Sequence, residues 1–197
     1  MVTSSKTVLR GEALKANVLN TALKLFSERG YFNTSIHDIR RAAGVSIGAI
    51  YHHFRNKEAL AKSLYEDLLQ QMDQAIEAAC FDKRGCLEKS RAIIEKMFSL
   101  TLEQPRHMQF VLLAQHREYL PDEAPICSSK PFQTMKTVVL EGIEAGEVRD
   151  LEPWVAATAM FGGALRMMNL QLDGALERPL TEYFDEVVDC AWRGVKA

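Results

Sequence analysis

Residues able to do chemistry crowd into one short stretch, TSIHDIRRAAGVSIGAIYHHFRNK from Thr34 to Lys57. It holds the hydroxyls of Thr34, Ser35 and Ser46, the guanidinium groups of Arg40 and Arg41, the Tyr51 phenol, the His52 imidazole and the Lys57 ammonium, against a single carboxylate at Asp38. Donors and cations in that excess suit a polyanion, because phosphate oxygens accept hydrogen bonds from all of these groups. No nucleophile, base and acid are spaced as a catalytic set, and no phosphate-binding glycine loop or nucleotide fingerprint is legible. Adjacent His52 and His53 on a helix point in different directions with no third ligand near in sequence, so no metal site is read there. No cofactor is implied.

Apolar spacing predicts the elements that position these groups. Ile36, Ile39 and Ala43 recur at i, i+3 and i+7, which describes a short helix with Thr34 or Ser35 as its N-cap. Gly44 ends it, since glycine takes the left-handed conformation needed for a sharp reversal, and Val45 plugs the turn. Ser46 then caps a second short helix whose buried side carries Ile50 and Phe54. Gly48, Ala49, Tyr51 and His52 are left facing outward. A helix that merely met water would more often carry Lys, Glu or Gln there. Gly48 and Ala49 have almost no side chain, so the backbone can approach a groove closely while Tyr51 and His52 reach toward phosphates. This reading requires Gly48 and Ala49 to be open, not walled in by the rest of the fold.

Asn56 reads as the next N-cap, which puts Lys57 in a helical first turn, where free amides and the helix dipole also favour a phosphate. Ile47 lies about 60° from the buried stripe at 100° per residue; it either closes the edge of the core or touches a thymine methyl group. One of Arg40 and Arg41 is expected to face the DNA backbone or a guanine edge, the competing reading being solvated charge. For Tyr51 the competing reading is an aromatic at the rim of the core.

The run from Gly11 to Arg29 (GEALKANVLNTALKLFSER), then Gly30-Tyr31, Thr34-Ser35 and AGVSIGAIYHHFRNKEAL, resembles the tetracycline-repressor (TetR) type of bacterial transcriptional regulators over the first quarter to third of the chain. The resemblance implies an all-α dimeric protein: an N-terminal three-helix, helix-turn-helix DNA-binding domain, residues 1–56, and a larger effector-binding and dimerisation domain, residues 57–197, with about nine helices in all. Its implied partners are double-stranded DNA with a near-palindromic operator, a small-molecule effector of unknown identity, and a second copy of the chain. Arg40 stands where the family usually has a small residue, and Ile47 where Lys, Arg or Pro is common, so an operator sequence does not carry over. Other classes fitting the same pattern are a ligand-independent DNA-binding interaction protein and a helical enzyme with an incidental head.

Composition agrees with a charged head on an acidic body. The formal net charge is only -2, yet residues 1–60 hold nine Lys or Arg against four Asp or Glu, and the remainder holds 15 against 22. Phosphate attraction depends on the face presented and not on the sum. No apolar run approaches the roughly 18 to 20 residues of a membrane span, and the opening MVTSSKTVLRGEALK lacks the apolar block of a signal peptide, so a cytoplasmic protein is expected. Cys80, Cys86, Cys127 and Cys190 form no C-x-x-C pair and read as fillers or idle thiols.

The first helix is expected from Gly11 to Arg29, with residues 1–10 a polar terminus lacking regular structure or an arm seeking a groove. A long helix over 57–79 is expected to join the two domains, and Gly and Pro then punctuate further helices over 86–102, 105–118, 129–145, 153–172 and 181–195. Small residues of the penultimate helix (Ala156, Ala157, Ala159, Gly162, Gly163, Ala164) and the apolar face of the last (Phe184, Val187, Val188, Ala191, Trp192, Val195) suit dimerisation. Phe98, His107, Phe110, Met135 and Phe161 are candidate effector contacts, and core packing is the competing reading for each.

Overall fold

Glycine and proline set the helix ends that the spacing anticipates. The computed structural model describes residues 3–113 and 116–197, with side chains described from Gly11 onward. Among the described residues the fold is all-α, nine helices with no strand and one isolated antiparallel bridge between Val148 and Lys196. They are α1 (Thr3–Arg29), α2 (Ile36–Ala43), α3 (Ile47–His53), α4 (Lys57–Cys80), α5 (Gly85–Glu103), α6 (Pro105–Leu113), α7 (Lys130–Glu144), α8 (Pro153–Leu172) and α9 (Phe184–Val195). α1 begins at Thr3, so the terminal segment expected to lack regular structure is helical from there; residues 1 and 2 lie outside the described residues. α6 is described to Leu113, and a 3-10 turn stands at His116–Glu118 where an α-helix running to 118 is expected; residues 114 and 115 lie outside the described residues.

The chain forms two compact units, and the division falls inside α4 instead of at residue 56. The first unit reaches Asp67 and also takes in residues 116–122; the second comprises Leu68–Leu113 and Glu123–Ala197. In the first, α2 and α3 pack on α1 and on each other. Val18, Ala22, Leu25 and Phe26 of α1 are buried in this unit, as are Ile39, Ile50, Phe54 and Leu60. Burying each of the larger aliphatic side chains contributes about 2 kcal/mol. In the second unit α5, α7, α8 and α9 form the packed centre. There α7 sits against α5 because Gly142 has no side chain: a Cβ at that position would lie 2.6 Å from the Cys86 Cβ. The buried Cys86 thus fills a tight helix crossing, in line with its reading as a structural thiol, and all four cysteines are free. No helix among the described residues is long and apolar enough to cross a membrane.

Candidate nucleic-acid interface

α2 and α3 owe their placement to caps. Ser35, not Thr34, is the N-cap of α2: its hydroxyl accepts from the Asp38 amide at 3.1 Å while the Asp38 carboxylate accepts from the Ser35 amide at 3.0 Å. The Ser35 hydroxyl also donates to the Asp38 carboxylate at 2.5 Å, and that bond, ahead of the one from the Ser35 amide, holds the Asp38 carboxyl below its ordinary range. Gly44 ends α2 in the left-handed conformation with φ 68°, a geometry that a Cβ would strain. The Asn17 amide, donating to the Ala43 carbonyl at 3.0 Å, ties the same end to α1. Ser46 then caps α3 by accepting from the Ala49 amide at 3.1 Å, and Ile50 is the α3 residue sealed in the core.

The outer flank of α3 is open. Gly48 is exposed, and a Cβ added there meets nothing within 4 Å. Ala49 and Ile47 are partly exposed, His52 is exposed, and Tyr51 is 51% exposed, which excludes the core reading of its ring. On α2, Arg41 is exposed and pairs loosely with Asp38 at 3.6 Å, while Arg40 is partly buried. Of the hydroxyls, Ser35 and Ser46 are exposed, each engaged in its cap.

Two expected phosphate ligands are placed differently. Thr34 is 1% exposed, and its hydroxyl donates to the Gly30 carbonyl at 2.9 Å and the Leu25 carbonyl at 3.3 Å, so the side chain closes the end of α1 instead of meeting a ligand. A buried hydroxyl must find such partners, because leaving it unpaired costs about 1–3 kcal/mol. Lys57 turns its ammonium inward as well. It donates to the carbonyls of Tyr31 at 3.1 Å and Thr34 at 3.0 Å and lies over the Tyr31 ring, 4.0 Å from its centroid. One proton of three remains for another acceptor. Asn56 caps α4 as expected, accepting from the Ala59 amide at 2.7 Å.

Sequence reasoning missed the aromatic latch behind this turn. The Tyr31 ring stacks on Tyr119 with centroids 3.9 Å apart, and its hydroxyl donates to Glu58 at 3.1 Å. Tyr119 shares a 2.7 Å hydrogen bond with His116 Nδ1, and the His116 ring lies 4.0 Å from that of Tyr65. Burial, reinforced at Tyr31 by the nearby Glu58 charge, pushes both phenols well above the ordinary tyrosine range. The segment that follows α6 in the chain is therefore built into the first unit. A partner more than 80 residues away leaves no periodic signal in a sequence.

In the second unit a half-enclosed cavity of about 220 Å³ opens between α4, α5 and α6. Met72, Lys96, Leu100, His107, Met108 and Val111 line it, together with Gln71 and Gln104. Of the five expected effector contacts only His107 is among its lining residues. Phe98, Phe110, Met135 and Phe161 are buried, and the Phe98 ring lies 6.4 Å from that of Phe184. Lys96, between the buried Ile93 and Leu100 on one flank of α5, also lines the cavity and was not singled out by sequence reasoning. No group of three or more His, Cys, Asp or Glu able to hold a metal occurs among the described residues.

A helix-turn-helix whose small-residue flank is open, set in an all-α chain, defines a DNA-binding regulator, and comparison with known proteins agrees. A family model of bacterial regulatory proteins of the TetR family matches residues 18–64, and one for the tetracyclin repressor-like C-terminal domain matches residues 65–197. The chain belongs to the TetR family of bacterial transcriptional regulators; it is a regulator and not an enzyme. Over 149 residues it is 28% identical to the fatty acid metabolism regulator protein of Bacillus subtilis strain 168, covering 74% of this chain and 76% of that protein. The transcriptional regulator AcrR of Shigella flexneri is 41% identical over 61 residues, a likeness limited to 31% of this chain and 28% of AcrR. Among solved structures, a TetR family regulator from Marinobacter aquaeolei VT8 superposes with a TM-score of 0.80 at 19% identity, over 95% of this chain and 98% of that one. FadR of Bacillus subtilis, solved in complex with stearoyl-CoA, superposes with a TM-score of 0.79 at 22% identity, over 91% and 98%. These two likenesses establish a shared fold.

Proposed function

We propose that the protein is a homodimeric, cytoplasmic repressor that sits on a near-palindromic operator and is released from it by a small-molecule effector. The observation carrying this reading is the open flank of α3, where Gly48 has empty space in front of it. In this reading Gly48 and Ala49 let the α3 backbone enter the major groove, Ile47 meets a base edge, and Tyr51, His52, Ser35, Ser46 and Arg41 contact phosphates or sugars. Arg40 supports them from the edge of α2. Thr34 and Lys57 act from behind by fixing the turn that leads into α2.

Dimerisation is assigned to α8 and α9. Between them an open, mostly apolar groove of about 670 Å³ is lined by Ala159, Gly163, Met167, Val187, Cys190 and Ala191, among others. Val155 at the start of α8 is 57% exposed. Apolar surface of this kind on one chain suits a second copy of it. Two heads carried by a dimer read half-sites about 34–36 Å apart, or a geometric variant of that spacing.

Release by an effector needs a modest coupling. A tenfold loss of operator affinity requires about 1.4 kcal/mol of difference between the free and bound states. Two routes are available along the chain: α4, which is unbroken from Lys57 to Cys80, and the segment after α6, whose Tyr119 is stacked on Tyr31. Selection of DNA from a random pool tests the reading. A dyad with half-sites about one helical turn apart is the expected result, and recovery of single, asymmetric sites overturns the dimeric arrangement.

A further inference from the structure

The cavity between α4, α5 and α6 combines chemistry that a simple packing defect does not carry. Its walls are apolar where Met72, Leu100, Met108 and Val111 meet, and each of these is buried within the unit. Into the same space comes one cation, Lys96, which is only partly exposed and has no hydrogen bond or ion pair among the described residues. The other lysines around the second unit's helix junctions behave differently: Lys89 pairs with Glu141 at 2.6 Å, and Lys130 with Asp73 at 2.6 Å and Glu77 at 2.9 Å. An ammonium beside four apolar side chains, with no carboxylate of the chain paired to it, leaves its charge to be matched by a ligand bearing the opposite one. Gln104 lies two turns along α5 from Lys96, so an amide is available at the far end of the same flank.

Charge and volume narrow the ligand. Lys96 is the one Lys or Arg among the lining residues, and His107, counted neutral at pH 7, is the other basic group there, so the cavity is matched by a single negative charge. Its volume of about 220 Å³ is below the roughly 300–1,000 Å³ typical of drug-sized ligands. At about 30 Å³ for each water-sized group it holds about seven such groups. We infer that this cavity is the effector site and takes a short-chain aliphatic monocarboxylate of about five carbons, whose chain and two carboxylate oxygens make about seven such groups. Lys96 holds the carboxylate, and Met72, Leu100, Met108 and Val111 hold the chain. This rests on the effector-released repressor reading, but binding is measured without DNA, which keeps the two separable.

Calorimetric titration of the full-length protein with pentanoate, 1-pentanol, pentylamine and hexadecanoate tests the assignment. Pentanoate is expected to bind at least tenfold more tightly than pentanol of the same length, with pentylamine and hexadecanoate weaker still. Lys96→Met is expected to remove the preference of pentanoate over pentanol, and Lys96→Arg to keep it. The Arg variant also guards against misfolding of the Met variant, as does an unchanged circular dichroism spectrum. Equal binding of pentanoate and pentanol to the native chain, or a pentanoate affinity that survives in Lys96→Met, overturns the carboxylate site. Pentanoate that binds through Lys96 but leaves an operator complex intact overturns its role as effector. Failure of the ligand-free protein to retain any selected DNA overturns the repressor reading alone.

Discussion

At the scale of single residues, an open position and a filled one make opposite predictions even when both are small. Gly48 sits in the first turn of α3 with nothing within 4 Å of the place a Cβ would occupy. Replacing a helical glycine by a residue with better helix propensity stabilises a folded chain by about 0.5–1 kcal/mol when no clash arises. Gly48→Leu is therefore expected to leave the denaturation midpoint unchanged or raised, while operator affinity in a gel-shift titration falls at least tenfold because the new side chain holds α3 out of the groove. Equal affinity of variant and native chain would show that α3 does not approach DNA by this flank. Thr34 illustrates the contrary case. Its hydroxyl was legible as a donor near a helix start, yet neither burial nor the carbonyls of Leu25 and Gly30 can be read from local sequence. Ser35 and Thr34 differ by one position; which of them caps α2 depends on the path of the chain leaving α1.

At the scale of elements, helix ends were legible where backbone chemistry punctuates them and illegible where a distant partner decides. Pro153 opens α8, Gly44 closes α2 and Ser46 caps α3 as their residue types require. Past α6, the 3-10 turn at His116–Glu118 departs from the helix expected there, and His116 and Tyr119 are taken up by Tyr65 and Tyr31 in the first unit. The same distance effect hid the cavity between α4, α5 and α6, whose lining residues come together only in the folded second unit. The latch has a pH signature. For both Tyr31 and Tyr119 the folded-state pKa is raised above the ordinary 10.0, chiefly by burial. A raised value means that the neutral phenol is favoured in the fold, so its contribution is fully present below about pH 10 and is lost as pH climbs through the raised value. Urea denaturation of the native protein is expected to show stability falling above about pH 10, and Tyr31→Phe with Tyr119→Phe to flatten that slope. An alkaline slope untouched by the double substitution would mean that the rings titrate as exposed phenols do.

For the molecule as a whole, an acidic protein that binds DNA must separate its charges, and the proposed dimer would bring two heads to one duplex. The first 60 residues carry a surplus of five positive charges and the remainder a deficit of seven, so attraction to phosphate is confined to one end of the chain. A single head with a seven-residue α3 offers few base contacts, and pairing two heads supplies the rest. The groove between α8 and α9 allows the pairing to be broken without harming the chain itself: Ala159 and Gly163 are exposed, and a Cβ at Gly163 meets nothing within 4 Å. Gly163→Glu places a carboxylate in a mostly apolar face and, by symmetry, opposes it to a copy of itself if that face is the twofold contact. Sedimentation velocity is expected to show a dimer for the native chain and a monomer for the variant at about micromolar concentration, with the helical circular dichroism signal retained. Operator affinity is expected to fall by at least a hundredfold, since each head then binds alone at a cost of about 2.7 kcal/mol or more. A Gly163→Glu protein that still sediments as a dimer would move the contact away from α8 and α9, whatever its effect on DNA.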